Sequence, residues 1–122
     1  MNVSMFKNLK NPNVDKEGVN INKILEMIKQ GTYKDEISYA RQFQKGDNEY
    51  ENIKLSLTSY TPNASFNGKR IKSNIKELTG LIYLDVEDYI KPIILNDMDF
   101  IYSYWRSFGG IGYGILVQVN GL

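Results

Sequence analysis

The sequence predicts an α+β fold in which N-terminal helices pack on a small, incomplete sheet. Two observations predict it: apolar residues with helical spacing recur in the first part of the chain, and a strand-helix-strand-strand order follows from residue 79 onward. The length of 122 residues, 42% of them hydrophobic, is suited to a single domain. We divide this domain into a helical N-terminal part, residues 1–78, and a partial sheet core, residues 79–122.

The N-terminal part is predicted to begin with a short strand at residues 3–6 and a loop at residues 10–18. An amphipathic helix follows and ends at Gly31, because glycine readily adopts the left-handed conformation that closes a helix. Asn20 or Asn22 can provide the side-chain cap at its start. Its apolar face has the spacing i, i+3, i+4 and i+7 and consists of Ile21, Ile24, Leu25 and Ile28.

Two more helices are predicted in the N-terminal part, at residues 33–44 and around residues 50–57. Residues 58–70 are rich in turn signals, with a short strand near residues 64–66. Residues 70–78 are expected to form a basic connector or a short helix. The inward-facing residues of the two helices are Ile37, Ala40 and Phe43 in the first and Tyr50, Ile53 and Leu57 in the second.

The partial sheet core begins with a strand at residues 81–87, whose first four residues are apolar and are expected to be buried. Pro92 is tolerated in the first turn of the helix that follows. The remaining elements are this helix at residues 90–96, strands at residues 100–106 and 115–119, and a glycine-rich turn between those two strands.

Composition excludes several classes of protein. The formal net charge is only +1, from 15 basic and 14 acidic residues, so no global basic field attracts nucleic acid. The chain has no cysteine and no histidine, which excludes disulfide scaffolds, thiolate metal sites and Ser-His or Cys-His triads. We find no apolar run near the roughly 20 residues of a membrane span and no signal-peptide pattern. We therefore expect a cytoplasmic protein with no membrane partner.

Three carboxylates at the end of the apolar strand are candidate metal ligands: Asp85, Glu87 and Asp88. Side chains alternate along a strand, so Asp85 and Glu87 leave on the same face. A carboxylate pair of this kind can bind a divalent cation such as Mg²⁺ or Mn²⁺, with Asp88 as a candidate third ligand. The alternative is an ordinary solvated strand end.

The glycine-rich turn is a candidate site for nucleotide phosphates. Its backbone N–H groups can approach a phosphate closely, because glycine has no side chain in the way. No Gly-Lys-Ser/Thr follows, so the turn is not a Walker loop. The alternative is a tight hairpin between two strands. The candidate residues are Ser107, Gly109, Gly110 and Gly112.

A basic cluster is the third candidate site, for RNA or single-stranded DNA. Arg41 and Lys45 lie upstream of it, and Tyr60 and Phe66 are aromatic residues that can stack on bases. A solvated basic face is the alternative. The cluster consists of Lys69, Arg70, Lys72 and Lys76.

Several short motifs occur in an order that resembles a known family. They are Ile53-Lys54-x-x-Leu57, Tyr60-Thr-Pro-x-Ala-Ser-Phe66, Gly68-Lys-Arg70, Thr79-Gly-Leu-Ile-x-Leu-Asp-Val-Glu87 and Arg106-Ser107-x-Gly-Gly-x-Gly112. The chain resembles the VirE N-terminal domain of Bacteroidetes mobile-element and phage proteins, which belongs with primase-polymerases of the archaeo-eukaryotic type. The resemblance extends over residues 3–119.

The resemblance implies an RRM-like catalytic core in which an Asp-x-Asp pair holds two metal ions and a Ser-x-Gly-x-Gly turn binds nucleotide phosphates. Asp85 and Glu87 match the pair, with Glu in place of the second Asp. Tyr113 follows the turn where related enzymes often place His or Lys. The family also continues into a further helix, strand and acidic residue, so the chain is similar to a truncated primase-polymerase whose sheet has an uncovered edge and face.

Three functions are compatible with these patterns. We favour a non-catalytic binding protein that requires no cofactor and acts on a host protein or nucleoprotein complex, with inhibition of an RNA-guided defence nuclease (an anti-CRISPR role) as the most concrete version. Self-association would also cover the open sheet. The alternatives are an N-terminal fragment of an active primase-polymerase that uses Mg²⁺ or Mn²⁺, and an accessory module that binds single-stranded nucleic acid.

Overall fold

A computed structural model describes residues 1–119 and confirms a mixed α+β architecture, with four helices and three small antiparallel sheets. The helices are α1 Ile21–Gln30, α2 Lys34–Ala40, α3 Asn48–Ser56 and α4 Pro92–Asn96. The strands are β1 Asn2–Phe6, β2 Lys16–Asn20, β3 Ser59–Tyr60, β4 Ala64–Phe66, β5 Ile75–Leu78, β6 Leu81–Val86, β7 Ile101–Arg106 and β8 Tyr113–Gln118. The sheets have the orders β2-β1-β3, β4-β5 and β6-β8-β7. None of the described helices is long and apolar enough to cross a membrane.

Residues 1–78 contain more strands than predicted: β1 and β4 match the strands expected at residues 3–6 and near residues 64–66, whereas β2, β3 and β5 were not predicted as strands. β2 begins in the predicted loop and pairs with β1, with Val19 opposite Val3. β5 forms where a connector or helix was expected and pairs with β4, with Leu78 opposite Ala64. Both strands are largely exposed, so neither shows the apolar alternation of a half-buried strand.

Helix α1 has the predicted limits and caps. The Asn20 side chain accepts a hydrogen bond of 2.9 Å from the backbone N–H of Asn22, and Gly31 closes the helix with a φ of 72°. Helix α3 also forms as predicted. Helix α2 is shorter than predicted and ends at Ala40, because the next turn tightens: the N–H of Phe43 donates to the Ala40 carbonyl.

The sheet β6-β8-β7 is a split β-α-β unit. β8 lies between β6 and β7 and is antiparallel to both, so β6 and β7 run parallel and are joined through α4. Pro92 occupies the start of α4, as predicted, where its missing N–H costs no helical hydrogen bond. This connection leaves β6 and β7 as the two edges of the sheet.

The expectation that residues 81–84 form a buried strand is wrong beyond the first residue. Leu81 is fully buried, but Ile82 and Leu84 are 40% and 45% exposed. β6 is an edge strand, and Leu81 points to the core while Ile82 and Leu84 point to the opposite face. On that face α4 inserts Leu95 over Tyr113 and Ile115 of the central strand, so the edge strand stays uncovered.

The main core joins the two parts of the chain. Residues of β1 and α1 pack with one residue each from β6 and β8, and Trp105 and Tyr102 of β7 pack around them. The sheet β6-β8-β7 is therefore held against the N-terminal part by apolar contacts across one of its faces. The buried members of this core are Val3, Met5, Ile21, Ile24, Leu81 and Leu116.

Leu81→Ala and Leu84→Ala form a matched pair on one strand that tests this arrangement. We expect Leu81→Ala to lower the free energy of unfolding by about 2–5 kcal/mol, because it leaves a cavity in the core. Leu84→Ala removes a half-exposed side chain and is expected to cost less than about 1 kcal/mol. Chemical denaturation measures both; similar losses would mean that Leu84 is covered.

Candidate functional site

One cavity of about 460 Å³ brings together two of the three predicted sites. The acidic end of β6 forms one wall, and the turn between β7 and β8 forms another. The C-terminal end of α2, the following loop and α3 add a third wall with three cationic side chains, Arg41, Lys45 and Lys54. We call this the phosphate cavity, after the ligand that the sequence predicts for the glycine-rich turn. The predicted residues that line it are Asp85, Glu87, Ser107, Gly109 and Gly112.

The carboxylates lie at the rim of the phosphate cavity. Asp85 is exposed and lies opposite Gly114 in the β6–β8 ladder, and Glu87 follows the last residue of β6. The Glu87 Oε1 is 3.7 Å from the Lys45 Nζ, in an ion pair whose side chains are 81% and 71% exposed. Such an exposed pair contributes little stability, but it places a cation beside one of the two carboxylates. Asp88 does not line the cavity.

The glycine-rich turn is a tight hairpin between β7 and β8, as the alternative interpretation of this motif predicted. The N–H of Ser107 donates to the Gly112 carbonyl at 3.0 Å, and the N–H of Gly110 donates to the Ser107 carbonyl at 2.9 Å. Within residues 107–112, these are the only amide groups that donate to the described part of the protein. Several N–H groups of the turn are therefore available to an acceptor such as a phosphate oxygen.

Gly112 allows the turn to lie directly on the end of β6, and Gly110 allows the backbone conformation of the turn. A Cβ at Gly112 would overlap the Val86 carbonyl oxygen and lie 2.9 Å from backbone atoms of Glu87. Gly110 has a φ of 88°, a conformation that residues with a side chain rarely adopt. The absence of a side chain at Gly112 lets the turn and the carboxylates share one cavity.

Two arginines hold the turn through its carbonyl groups. Arg41 donates from Nε to the Phe108 carbonyl and from Nη2 to the Ser107 carbonyl, both at 2.9 Å. Arg106 donates from Nη1 to the Ile111 carbonyl at 3.1 Å, and its guanidinium lies over the Tyr113 ring. Because the carbonyls face these cations, the turn keeps its shape in the absence of a ligand.

Arg41 and Lys45 lie apart from the basic cluster that follows them in the sequence. Both were associated with the downstream basic cluster, whereas the structure places them in the phosphate cavity. Lys54 belongs to the Ile53-Lys54-x-x-Leu57 motif, for which the sequence predicts no role in a site. In the structure it is half-buried in helix α3; the one signal in the sequence is its position one helical turn after Tyr50.

The predicted basic cluster at residues 69–76 lies outside the phosphate cavity. Arg70 packs against the N-terminal part: its guanidinium is 4.8 Å from the centroid of the Phe6 ring, and Nη2 donates to the Leu9 carbonyl. Lys69 forms a β-bridge with Asn13, whereas Lys72 and Lys76 are exposed. Phe66, a predicted stacking residue, is only 9% exposed and packs with Phe6 and Ala64.

Tyr83 connects the phosphate cavity to the interior. It stacks on Trp105 with ring centroids 6.1 Å apart, and it precedes Asp85 on the same face of β6. Partial burial raises the pKa of the Tyr83 hydroxyl, and the negative charge of Asp85 raises it further. The hydroxyl therefore stays protonated at neutral pH and is able to donate a hydrogen bond.

Asp85 and Glu87 are the two carboxylates that could contribute to a metal site in this cavity. Mg²⁺ is commonly bound by one or two carboxylates together with phosphate oxygens of the substrate, and Asp85 and Glu87 can supply that number. Among residues 1–119, no group of three acidic, histidine or cysteine side chains converges as a metal site. Comparisons with protein-family models, curated proteins and solved structures found no match to this chain.

Gly112→Ala and Gly109→Ala test the close approach of the turn to β6. We expect Gly112→Ala to lower stability by about 1–3 kcal/mol, because the methyl group forces the turn away from Val86. Gly109 is exposed and a Cβ there meets only the Tyr50 hydroxyl at 3.3 Å, so Gly109→Ala is expected to change stability by about 0.5 kcal/mol. Thermal unfolding of the two variants provides the comparison, and equal effects would contradict the contact.

Proposed function

We propose that this protein is a non-catalytic binding protein whose phosphate cavity holds the phosphate groups of a nucleotide or of a nucleic-acid strand. The observation that carries the proposal is the convergence of three cationic side chains and a glycine-rich turn on one cavity. The proposal includes descent from the front half of a primase-polymerase. In this view the sheet β6-β8-β7 corresponds to three strands of an RRM-like core.

The charge balance of the cavity supports binding of an anion. Arg41, Lys45 and Lys54 give three positive charges and Asp85 and Glu87 give two negative charges, so the lining has a net charge of +1. Lys45 offsets Glu87 directly. The turn adds N–H groups with no protein acceptor among the described residues, and such groups bind phosphate oxygens without a formal charge.

The same features argue against a complete catalytic centre. Transfer of a phosphoryl group by two metal ions requires ligands that clamp the attacking and the leaving oxygen. Asp85 and Glu87 provide two carboxylates, and one of these has a lysine 3.7 Å away. A cavity with more cations than carboxylates is better suited to binding a phosphate than to holding two cations beside it.

Lys54→Gln tests phosphate binding, with Lys76→Gln as the matched control from the basic cluster. We expect Lys54→Gln to weaken binding of tripolyphosphate by about ten- to a hundredfold, because it removes one charge-assisted contact worth about 1.5–3 kcal/mol. Lys76→Gln removes the same charge outside the cavity and is expected to leave the affinity within about twofold. Isothermal titration at fixed ionic strength measures both. A larger loss in Lys76→Gln would move the site to residues 69–76 and favour the single-strand-binding alternative.

The second candidate function is that of an active, metal-dependent primase-polymerase fragment. It is favoured by one observation, that Asp85 and Glu87 line the same cavity as the turn. In this case the two carboxylates would hold a Mg²⁺ or Mn²⁺ ion, which neutralises phosphate charge. In both candidate functions, the turn and Arg41 orient the phosphates.

Asp85→Ala separates the two candidates. The non-catalytic account predicts that tripolyphosphate binds without Mn²⁺ and that Asp85→Ala leaves the affinity unchanged or raises it by severalfold, because a negative charge is removed from an anion site. The enzymatic account predicts binding only with Mn²⁺, and loss of that binding in the variant. Titrations with and without Mn²⁺ on both proteins give the answer.

The proposal also includes a partner protein. Ile82 and Leu84 of the edge strand and Ile93 and Ile94 of α4 are all at least 40% exposed, which is typical of an interaction surface. We propose that a host protein or nucleoprotein complex covers this surface, with an RNA-guided defence nuclease as the most specific version. Light scattering on the purified chain distinguishes this from self-association, in which β6 pairs with a second copy.

A further inference from the structure

Strand β7 is an edge of the sheet β6-β8-β7, so one side of its backbone has no neighbouring strand in the described part of the chain. The N–H of Ser107 donates to the Gly112 carbonyl, so these two residues form a hydrogen-bonded pair of the β7–β8 hairpin. Hydrogen-bonded and non-hydrogen-bonded pairs alternate along an antiparallel ladder, so the N–H and C=O groups of Tyr104 and Arg106 point away from β8. Among residues 1–119, no backbone group from another segment bonds to them.

A groove of about 510 Å³ lies between this edge and helix α1. Strand β7 contributes Ser103, Tyr104 and Trp105 to one wall. Helix α1 forms the other wall, which includes the half-buried apolar side chains of Leu25 and Ile28. We call this the α1 groove. It offers apolar contacts directly beside the unpaired backbone of β7.

A second cavity, of about 250 Å³, lies on the opposite face of the same edge. Ser103 and Tyr104 line it as well, together with Leu95 and Asn96 of α4. Tyr104 belongs to this face, because its hydroxyl donates to the Asn96 side chain at 2.7 Å, whereas Trp105 packs against the main core on the face of α1. We call this the α4 cavity. The edge of β7 therefore has one cavity on each face.

An edge strand flanked by a cavity on each face is complementary to an extended peptide. Successive side chains of a strand point to opposite faces of its sheet. In a strand paired with β7, the side chain opposite Tyr104 would enter the α4 cavity, and its two neighbours would enter the α1 groove beside Leu25 and Trp105. Hydrogen bonds to the sheet edge provide affinity for such a peptide, and pockets for alternate side chains provide specificity.

We propose that the edge of β7 is a docking site for an extended segment of a partner protein, which adds a strand to the sheet β6-β8-β7. The backbone of the segment bonds to Tyr104 and Arg106. Its apolar side chains enter the α1 groove, and a small polar side chain enters the α4 cavity beside Asn96. Glu26 and Lys29, the two charged residues in the lining of the α1 groove, have opposite signs, so the groove selects no charged side chain.

Binding of synthetic peptides to the intact chain tests the proposal. The probes are acetylated, amidated heptapeptides of the form Lys-X-Thr-X-Thr-X-Lys, in which X is Leu, Val or Phe. Trp105 is the only tryptophan of the chain and lines the α1 groove, so its fluorescence reports binding. We expect at least one probe to bind saturably with a Kd below about 1 mM.

Hydrogen exchange locates the bound probe on the edge of β7. At a probe concentration about ten times the Kd, we expect exchange at the amides of Tyr104 and Arg106 to slow about tenfold, because only the free protein exchanges there. The amide of Trp105 is the matched control. It lies in a hydrogen-bonded pair with Gly114 of β8, so its exchange should not change.

Two backbone-methylated versions of the tightest probe separate strand addition from simple apolar contact. Alternate N–H groups of a strand point to opposite edges, so only one set, that of the Thr residues or that of the X residues, faces β7. Methylation of that set is expected to weaken binding at least tenfold, and methylation of the other set by less than about threefold. In an antiparallel pairing, as in the rest of this sheet, the Thr set faces β7.

Leu25→Ala tests the α1 groove from the side of the protein, with Leu78→Ala as the matched control. We expect Leu25→Ala to weaken binding of the tightest probe about three- to tenfold, because it removes apolar contact area from the groove. Leu78 is 59% exposed on β5 and lines neither cavity, so Leu78→Ala should bind the probe as the parent protein does. Circular dichroism verifies that both variants are folded.

The inference concerns a different surface from the phosphate cavity, so its failure leaves phosphate binding unaffected. It is overturned if none of the three probes binds, or if both methylated probes bind like the parent peptide. Protection of the Tyr104 and Arg106 amides in the free protein would also overturn it. Protection that rises with protein concentration would show that a second copy occupies the edge, and protection at every concentration would show pairing within the chain.

Discussion

The register between β6 and β8 is the constraint on which the candidate site depends. Asp85 lies opposite Gly114 and Val86 opposite Tyr113, so the turn that precedes β8 must pass over the end of β6. Only a residue without a side chain fits at position 112, because the Val86 carbonyl occupies the space of a Cβ. A shift of one residue would move the carboxylates to the other face of the sheet and separate them from the turn.

This register also explains why binding, rather than catalysis, is the function that we favour. Arg41, which also lines the cavity, and Arg106 donate to carbonyl groups of the turn, and most N–H groups of the turn have no protein acceptor among the described residues. The cavity then receives Lys45 and Lys54 from the helical segment. Together with Arg41, these lysines outnumber the two carboxylates, so we expect the site to attract anions even though the whole chain has a net charge of only +1.

The sequence predicts the elements whose stability is local. Helix α1 combines a periodic apolar face, an asparagine cap and a terminal glycine, so its limits follow from the chain alone. Strands β2 and β5 are largely exposed and are stabilised by pairing with neighbouring strands, so their sequences lack the apolar alternation that predicts a strand. The prediction that residues 81–84 are buried is wrong for a related reason, because an apolar run does not reveal whether its strand lies at the edge of a sheet.

The candidate site can be predicted to the same extent. Its carboxylates and glycines are visible as motifs, whereas Arg41 and Lys54 reach it only through tertiary packing.

Mapping of tripolyphosphate binding by NMR tests the central claim most directly, because every amide of the turn reports separately. We predict large shifts at the amides of Phe108, Gly109 and Ile111, smaller ones near Lys54, and the same pattern with and without Mn²⁺. Shifts confined to residues 69–76, or shifts at the turn that appear only with Mn²⁺, would contradict the account. The first result would assign binding to the basic cluster, and the second would restore Asp85 and Glu87 as metal ligands.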